Sequence, residues 1–370
     1  MLFILLSLIC VRPFISCLAY PRENFFFSLA STAILLAYLA IKGKNVSLPR
    51  SCRFALLAFL TCLLITVIFS FNTFVSLREA NNYLPAILFF FAACAFSQRE
   101  RKRVLFVILA TGLVVALAAI YQYFFGFEHT LYFIEGQKNR NYFTLEYLTR
   151  KRAFFPFVTP NALGGYLAMI LPLCFIFKKI RWVIVPLAFA LLLTKSLGAI
   201  LSLIFALLMY FIITGSSKKK LILTGCGLLI ILSAVFLNRL SARSEHLQPL
   251  FSSLMRINYW QQTLQIIQRS PLLGVGPGDF NLPQSRYAHN AYLQIWAEMG
   301  IFTLLSFFWL ISAGIASAAK RIKELMNKKE ALFLLTAYLV FLLHNVIDFT
   351  FFLPEVSWYW WIIAGLLAGA

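Results

Sequence analysis

The residues best suited to chemistry lie in one stretch of this chain, from Arg256 to Gly300. Arg256 opens the segment RINYWQQTLQIIQR, whose apolar residues recur at helical spacing, so we predict an amphipathic helix that rests on a membrane surface. A guanidinium carries a planar pair of donors that matches phosphate oxygens. Arg256 could therefore neutralise a diphosphate leaving group, and we consider it a candidate anion-binding residue.

His289 stands at the predicted start of a helix that opens HNAYLQIWAEMG. The positive end of a helix disfavours imidazolium, so this histidine is expected to be neutral at working pH and able to accept a proton. The alternative is that His289 only caps the helix or lies at an interface. A catalytic role requires that His289 and Arg256 share one outward-facing pocket.

Three further polar residues are candidate supporting residues: Asn290, Glu298 and Asp279. Glu298 lies about half a turn around the helix from His289, so it is expected to hold a neighbouring helix, although a carboxylate at membrane depth is also a functional candidate. Asp279 belongs to the sequence PLLGVGPGDF at 271–280, here called the glycine-rich turn. Its backbone donors could approach a phosphate, but Pro277 removes one of them and a plain turn is favoured.

No pattern for a metal or nucleotide cofactor accompanies these residues. The chain has only two aspartates, Asp279 and Asp348, which are far apart, and its four histidines are isolated, so the sequence contains no DxD pair or histidine cluster for a divalent ion. It also has no Walker loop and no GxSxG. We therefore expect chemistry that uses no metal and no other cofactor.

The elements that must position these residues are membrane helices. The chain has 370 residues, of which 61% are hydrophobic and 12% charged, and its mean hydropathy is +0.83. Each crossing takes about 20 apolar residues, so about twelve crossings are predicted and no room remains for a separate soluble domain. The net charge of +20 lies in short clusters between apolar runs, which indicates membrane topology and not nucleic-acid binding.

We predict an all-α polytopic membrane protein built from three groups of helices and two external loops. Residues 1–125 carry transmembrane helices 1–5, residues 160–237 carry helices 6–9, and residues 290–370 carry helices 10–12. The loops at 126–159 and 238–289 separate them, and the second contains the amphipathic helix.

Basic clusters set the predicted orientation. If the count of crossings is right, five clusters fall on one side of the membrane, at 42–53, 99–103, 178–181, 218–220 and 320–329. The positive-inside rule then places both termini in the cytoplasm and the long loops outside. The aromatic run at 358–361 is expected to lie in the interfacial belt on the outer side.

The external loops carry cations that topology does not require, and these could bind a polyanionic substrate or simply lipid headgroups. They are Lys138, Arg140, Arg150, Lys151, Arg152, Arg239, Arg243, Arg256, Arg269 and Arg286.

A transporter or flippase is the competing functional class for a chain with this many membrane helices. Transporters typically place charges at the membrane midplane, whereas here the polar residues cluster at the external surface.

Four motifs, in the expected order, make the chain similar to the O-antigen ligase and polymerase superfamily of bacterial envelope glycosyltransferases. They are the stretch from Arg256 to Gly300 with Tyr259-Trp260, SPLLGVGPGDF and HNAYLQIWAEMGI; FPFVTPNALGGYLAMILPL at 155–173; LTKSLGAILSL at 193–203; and HNVIDF at 344–349. The resemblance covers roughly residues 100–370. It implies a GT-C-like fold with a large external loop between helices 9 and 10.

The resemblance also implies a reaction. A glycan is transferred with inversion from an undecaprenyl diphosphate carrier to an acceptor hydroxyl, on the external face of the bacterial cytoplasmic (inner) membrane, without metal or nucleotide. The acceptor is a glycolipid or glycan: a lipid A-core sugar for a ligase, which is slightly favoured, or another lipid-linked repeat for a polymerase. A protein acceptor is less expected because no sizeable extra domain is present.

Two roles carry over from the family's ligases. The histidine of the HN motif deprotonates the acceptor, a role that falls on His289, and arginines hold the diphosphate, a role that falls on Arg256. The family places another arginine in the external hairpin, where Leu197 stands in this chain. Lys195 or Arg152 is therefore expected to supply that charge.

Overall fold

The computed structural model describes residues 1–42, 48–135, 147–215, 218–240, 249–324 and 328–369, and most of them are helical. The helices are α1 Leu2–Val11, α2 Pro21–Lys42, α3 Arg50–Ile68, α4 Thr73–Cys94, α5 Gln98–Tyr121, α6 Phe127–Glu135, α7 Pro160–Ile170, α8 Ile184–Leu193, α9 Leu197–Ile213, α10 Lys218–Leu240, α11 Pro249–Arg269, α12 Ala291–Lys323, α13 Lys328–His344 and α14 Pro354–Ala368. Within these ranges no β-strand occurs, and one isolated bridge pairs Leu282 with Ser285.

In the described residues, four helical runs are long and apolar enough to cross a membrane by themselves. They are Pro21–Lys42, Arg50–Ile68, Gln98–Tyr132 and Ala291–Lys323. Shorter apolar helices run over Leu2–Phe14, Pro160–Phe175, Leu197–Ile213 and Gly225–Leu237. The all-α class is therefore confirmed and the helices fit a polytopic membrane protein, while the count of twelve crossings stays a prediction.

The last helix, α14, lies inside the bundle, where α4, α12 and α13 pack around it. Residues 358–361 are at most 1% exposed, and the ring of Trp360 stacks on those of Tyr338 and Phe341, with centroids 5.1 and 5.2 Å away. The prediction of an interfacial aromatic belt is therefore wrong. A helix that is apolar on every side gains most when other helices surround it, since its rings then pack against protein.

Paired charges hold both ends of α14. At its start, Arg12 Nη2 lies 3.4 Å from Glu355 Oε2, and both side chains are buried. At its end, Arg101 Nη2 lies 3.2 Å from Glu330 Oε1 and also donates to the carbonyl oxygen of Leu366. A buried charge is tolerated when it is paired and hydrogen-bonded, so these contacts fix the depth of α14 in the bundle.

Both predicted external loops contain helix. The chain stays helical from α5 into α6, through a π-helical stretch at Gln122–Gly126. The amphipathic helix α11 is longer than predicted, and its expected membrane face is exposed at Ile257 (47%) and Leu264 (43%), whereas Ile267 is buried against the protein. Three of the predicted external cations lie outside the described residues, namely Lys138, Arg140 and Arg243.

Helix α12 is interrupted at Gly300, where φ is 76° and ψ is 171°. The glycine-rich turn fills the interruption. Ile301 N–H donates to the carbonyl of Pro271 at 3.1 Å, and Gly276 N–H donates to the carbonyl of Glu298 at 2.8 Å. Because an unpaired amide is expensive in apolar surroundings, the break and the turn are stable only together.

This interlock predicts the effect of a single methyl group. A Cβ at Gly300 would lie 1.9 Å from the carbonyl oxygen of Leu272, and its φ disfavours every other residue type. We expect Gly300→Ala to lower stability by at least about 2 kcal/mol, measured as a fall in the thermal unfolding midpoint of the purified protein in detergent. Gly227→Ala is the matched control, since in the described residues its new methyl group meets no atom within 4 Å beyond its own stretch of helix. Equal midpoints for the two variants would contradict the interlock.

Candidate functional site

His289 lies in an aromatic enclosure just before α12. Its ring stacks on Tyr259 of α11, with centroids 5.6 Å apart, and meets the edge of Phe349 at 4.9 Å. Its Nδ1 atom is buried and has no hydrogen-bond partner among the described residues. A buried nitrogen left without a partner is uncommon and costly, so it indicates a group kept ready for a ligand or a proton.

The backbone around His289 is fixed from three directions. Asn290 caps α12, since its side-chain oxygen accepts from the N–H groups of the next helical residues at 3.0 Å. Ala291 N–H donates to the carbonyl of Asn345 at 2.9 Å, and Ala288 N–H donates to Gln294 Oε1 at 3.1 Å. His289 itself has φ of 53°, a strained conformation that these contacts maintain. The predicted supporting residue Asn290 is therefore a helix cap.

The imidazole of His289 is held in its neutral form. Burial lowers the pKa of His289 to about 4, Asp348 opposes this shift by favouring imidazolium, and the positive charge of Arg256 lowers the pKa further. The predicted pair Arg256 and His289 thus interact electrostatically in the structure. Among the described residues Arg256 forms no hydrogen bond or ion pair, so its donors can bind an anion.

The end of α13 brings two further polar residues to the site, His344 and Asp348, which the sequence did not mark as candidates. His344 is buried against α7 and α9, where Gly165 leaves room for its ring and Gly198 leaves room for Ile347. A methyl group on Gly165 would lie 2.7 Å from the His344 ring. Small residues therefore allow this end of α13 to lie close to the α7 and α9 helices.

Arg152, in the segment before α7, and Lys195, on the hairpin between α8 and α9, form a second cluster. Arg152 is 5% exposed, and its guanidinium donates to the carbonyl of Thr194 and to Asn161 Oδ1, both at 2.9 Å. Ser196 Oγ donates to the same Asn161 oxygen at 3.1 Å. Lys195 has φ of 50° and its Nζ donates to the carbonyl of Arg150 at 3.1 Å. The end of α13 lies between this hairpin and His289.

Glu298 and Asp279 serve the glycine-rich turn. Glu298 accepts from Gly278 N–H at 3.1 Å and from Gln294 Nε2 at 2.8 Å, so it ties the turn to α12. Asp279 accepts from Asn72 N–H at 2.9 Å and ties the turn to the start of α4. The turn's own amides bond to the protein, which fits the plain-turn interpretation.

In the described residues no group of three or more His, Cys, Asp and Glu side chains could hold a metal ion.

Sequence reasoning located His289 and Arg256 but missed Asp348, His344 and the two rings around His289. A signal for them was present, because the motif HNVIDF at 344–349 was recognised and the predicted orientation places its end of α13 on the external side. Spacing along the chain alone, however, gives the polar residues of this motif no role.

These features define a polytopic membrane protein whose candidate acid–base and anion-binding residues gather at one end of the helical bundle. Residues 182–308 match the family model described as O-antigen ligase. The predicted resemblance to the O-antigen ligase superfamily is thereby confirmed. The matched segment contains His289, Arg256 and Lys195, and Arg152 precedes it. A search among curated proteins finds no match to this chain.

The charges around His289 predict two opposite changes in its pKa. Removing the cation with Arg256→Gln should raise the pKa of His289, and removing the anion with Asp348→Asn should lower it. The measurement is a pH titration of the 15N-labelled histidines in nanodiscs, with the His289 signal assigned by its loss in His289→Gln. Arg103→Gln, at an exposed arginine of α5, is the control and should change nothing. Shifts of the same sign in both variants would refute this charge arrangement.

Proposed function

We propose that this protein is an O-antigen ligase-like glycosyltransferase that moves a glycan from undecaprenyl diphosphate to an acceptor sugar hydroxyl. The proposal places it in the bacterial cytoplasmic membrane, with both termini in the cytoplasm and the site facing the exterior. Support comes from the O-antigen ligase family match, which implies lipid-linked glycan and acceptor substrates of this general kind. A polymerase of the same superfamily differs only in its acceptor.

The proposed reaction is a direct displacement at the anomeric carbon. The acceptor oxygen forms the new bond to that carbon, its proton passes to His289, and the bond from the carbon to the diphosphate oxygen breaks. The electron pair of that bond stays on the diphosphate, and one displacement inverts the configuration. Arg256 neutralises the departing charge, and Lys195 on the hairpin contributes together with Arg152, which bonds to the hairpin from the segment before α7.

The observation that carries the proposal is the state of His289: a neutral imidazole whose buried Nδ1 has no partner in the described residues, beside a cation that is also unpaired. A histidine with a pKa of about 4 is by itself a weak base. A bound diphosphate would offset the charge of Arg256 and so make His289 more basic when the substrate is present.

His289→Ala tests the base directly. We expect it to lower the turnover number for glycan transfer by about 100- to 10,000-fold, the usual contribution of a positioned general base. The assay combines purified protein, undecaprenyl diphosphate glycan and an acceptor glycolipid, with chelator present. His129→Ala, at an exposed histidine of α6, is the matched control and should keep full activity. Undiminished transfer by His289→Ala, or movement of the lipid without bond formation, would reject the enzyme.

Arg256 is expected to act through donor binding. Arg256→Ala should raise KM for the lipid diphosphate by about ten- to a hundredfold, since one charge-assisted contact is lost. Arg256→Lys should recover little, because an ammonium lacks the paired donors of a guanidinium. Arg103→Ala removes the same charge elsewhere and should leave KM unchanged. Full recovery by lysine would show that the paired geometry has no role.

A further inference from the structure

Two buried side chains of α12, Gln294 and Glu298, connect the glycine-rich turn to the residue before His289. They are 1% and 2% exposed, and they lie four residues apart on one face of the helix. Gly278 N–H donates to Glu298 Oε2 at 3.1 Å, and Gln294 Nε2 donates to Glu298 Oε1 at 2.8 Å. Gln294 Oε1 in turn accepts from Ala288 N–H at 3.1 Å. These three hydrogen bonds are here called the α12 network.

Both ends of the α12 network are backbone donors. A backbone N–H can only donate, so Gln294 must turn its oxygen toward Ala288, which leaves its amide nitrogen facing Glu298. Glu298 therefore has to accept twice, from Gln294 and from Gly278. A carboxylate accepts at both oxygens, whereas an amide has only one oxygen. The side chain at position 298 thus decides whether the whole network can be satisfied.

The α12 network ends where the backbone is strained. His289 has φ of 53°, a conformation that residues other than glycine rarely adopt and that persists only where neighbouring contacts hold it. One of these contacts is the bond from Ala288 N–H to Gln294, and another is the bond from Ala291 N–H to the carbonyl of Asn345. Loss of the first contact would free one side of the strained residue, so that its ring could leave the aromatic enclosure.

We propose that Glu298 is a positioning residue for His289. Its two acceptor oxygens orient Gln294, Gln294 fixes the peptide before His289, and the strained backbone directs the imidazole toward the acceptor hydroxyl. The inference rests on the proposed function for the hydroxyl, whereas the α12 network itself involves no substrate. Glu298 then serves the reaction through the direction of the base, in addition to joining the turn to the helix.

Glu298→Gln tests the need for two acceptor oxygens with almost no change in volume. The one amide oxygen at position 298 can face Gly278 or Gln294, and in either arrangement two donors are left facing each other. We expect the turnover number for glycan transfer to fall by about ten- to a hundredfold, because the base is no longer correctly directed. KM for the lipid diphosphate should stay the same, since Arg256 is not part of the network.

The pH titration of the 15N-labelled histidines in nanodiscs gives a second readout. Burial is the main cause of the low pKa of His289, so a ring that leaves the aromatic enclosure should titrate closer to the ordinary histidine range. In Glu298→Gln we therefore expect the pKa of His289 to rise.

The exchange variant Gln294→Glu/Glu298→Gln is the matched control, because it contains the same two groups in the opposite order. The carboxylate at position 294 can accept from Ala288 N–H and from the amide at position 298, whose oxygen accepts from Gly278 N–H. All three hydrogen bonds return, with the middle one reversed, so turnover and the His289 titration should recover. Gln98→Glu/Glu324→Gln makes the same exchange at exposed positions and should change neither.

Unchanged turnover and titration in Glu298→Gln would overturn the proposal, as would an exchange variant that remains equally impaired. A lower unfolding midpoint without a change in the His289 titration would also overturn it, because Glu298 would then serve the fold alone. If Glu298→Gln does not fold, the exchange variant decides, since only a double-acceptor requirement predicts that it folds and titrates normally.

The titration needs no transfer, which separates this proposal from the proposed function. The expected titrations in a protein that transfers no glycan would support the positioning role and reject the glycosyltransferase. Transfer that depends on His289 but is unaffected by Glu298→Gln would reject the positioning role alone.

Discussion

The structure depends on one constraint: every backbone amide that leaves a helix inside the apolar bundle must find a partner within the protein. The interruption of α12 at Gly300 frees such groups, and the glycine-rich turn supplies their partners. Glu298 and Gln294 then connect the turn to Ala288, next to His289. The position of the candidate base therefore follows from how a broken helix satisfies its hydrogen bonds, and a change to the turn is transmitted to the site.

The same apolar setting decides the protonation of the site. Burial lowers the pKa of His289 and the positive charge of Arg256 lowers it further, so the imidazole is a neutral base close to a cation. An anion bound to Arg256 reverses the second effect. The site thus becomes more basic when a diphosphate is present, which couples proton transfer to the arrival of the donor. Asp348 also raises the pKa of His289, and the hydrogen bond from Ala291 N–H to the carbonyl of Asn345 brings the end of α13 to the start of α12.

Hydropathy predicted the helical class well, because long apolar runs have few alternatives to a membrane helix. It could not predict that α14 is surrounded by protein, since Trp358 and Trp360 are equally suited to lipid and to a protein interior. The break at Gly300 was also hidden, because a single glycine within a helical pattern is usually tolerated. Motifs located His289 and Arg256, whereas the contribution of Asp348 depends on a contact between residues distant in sequence, which spacing along one helix does not reveal.

Most of the buried cations in the described bundle are paired with carboxylates or carbonyl oxygens of the fold, and the exception near His289 bears on where function lies. At the predicted cytoplasmic end, Arg101 is bound to Glu330 and to a carbonyl of α14, Lys42 pairs with Glu100, and Arg321 also donates to the end of α14. At the other end, Arg12 pairs with Glu355 and Arg152 donates to a carbonyl oxygen, whereas the side chain of Arg256 has no such partner among the described residues. Cations that stabilise a fold are paired within it, since an ion pair or a carbonyl contact offsets their desolvation. The unpaired Arg256, whose charge acts on the half-buried, neutral imidazole of His289, is better explained by an anion that arrives from outside the chain.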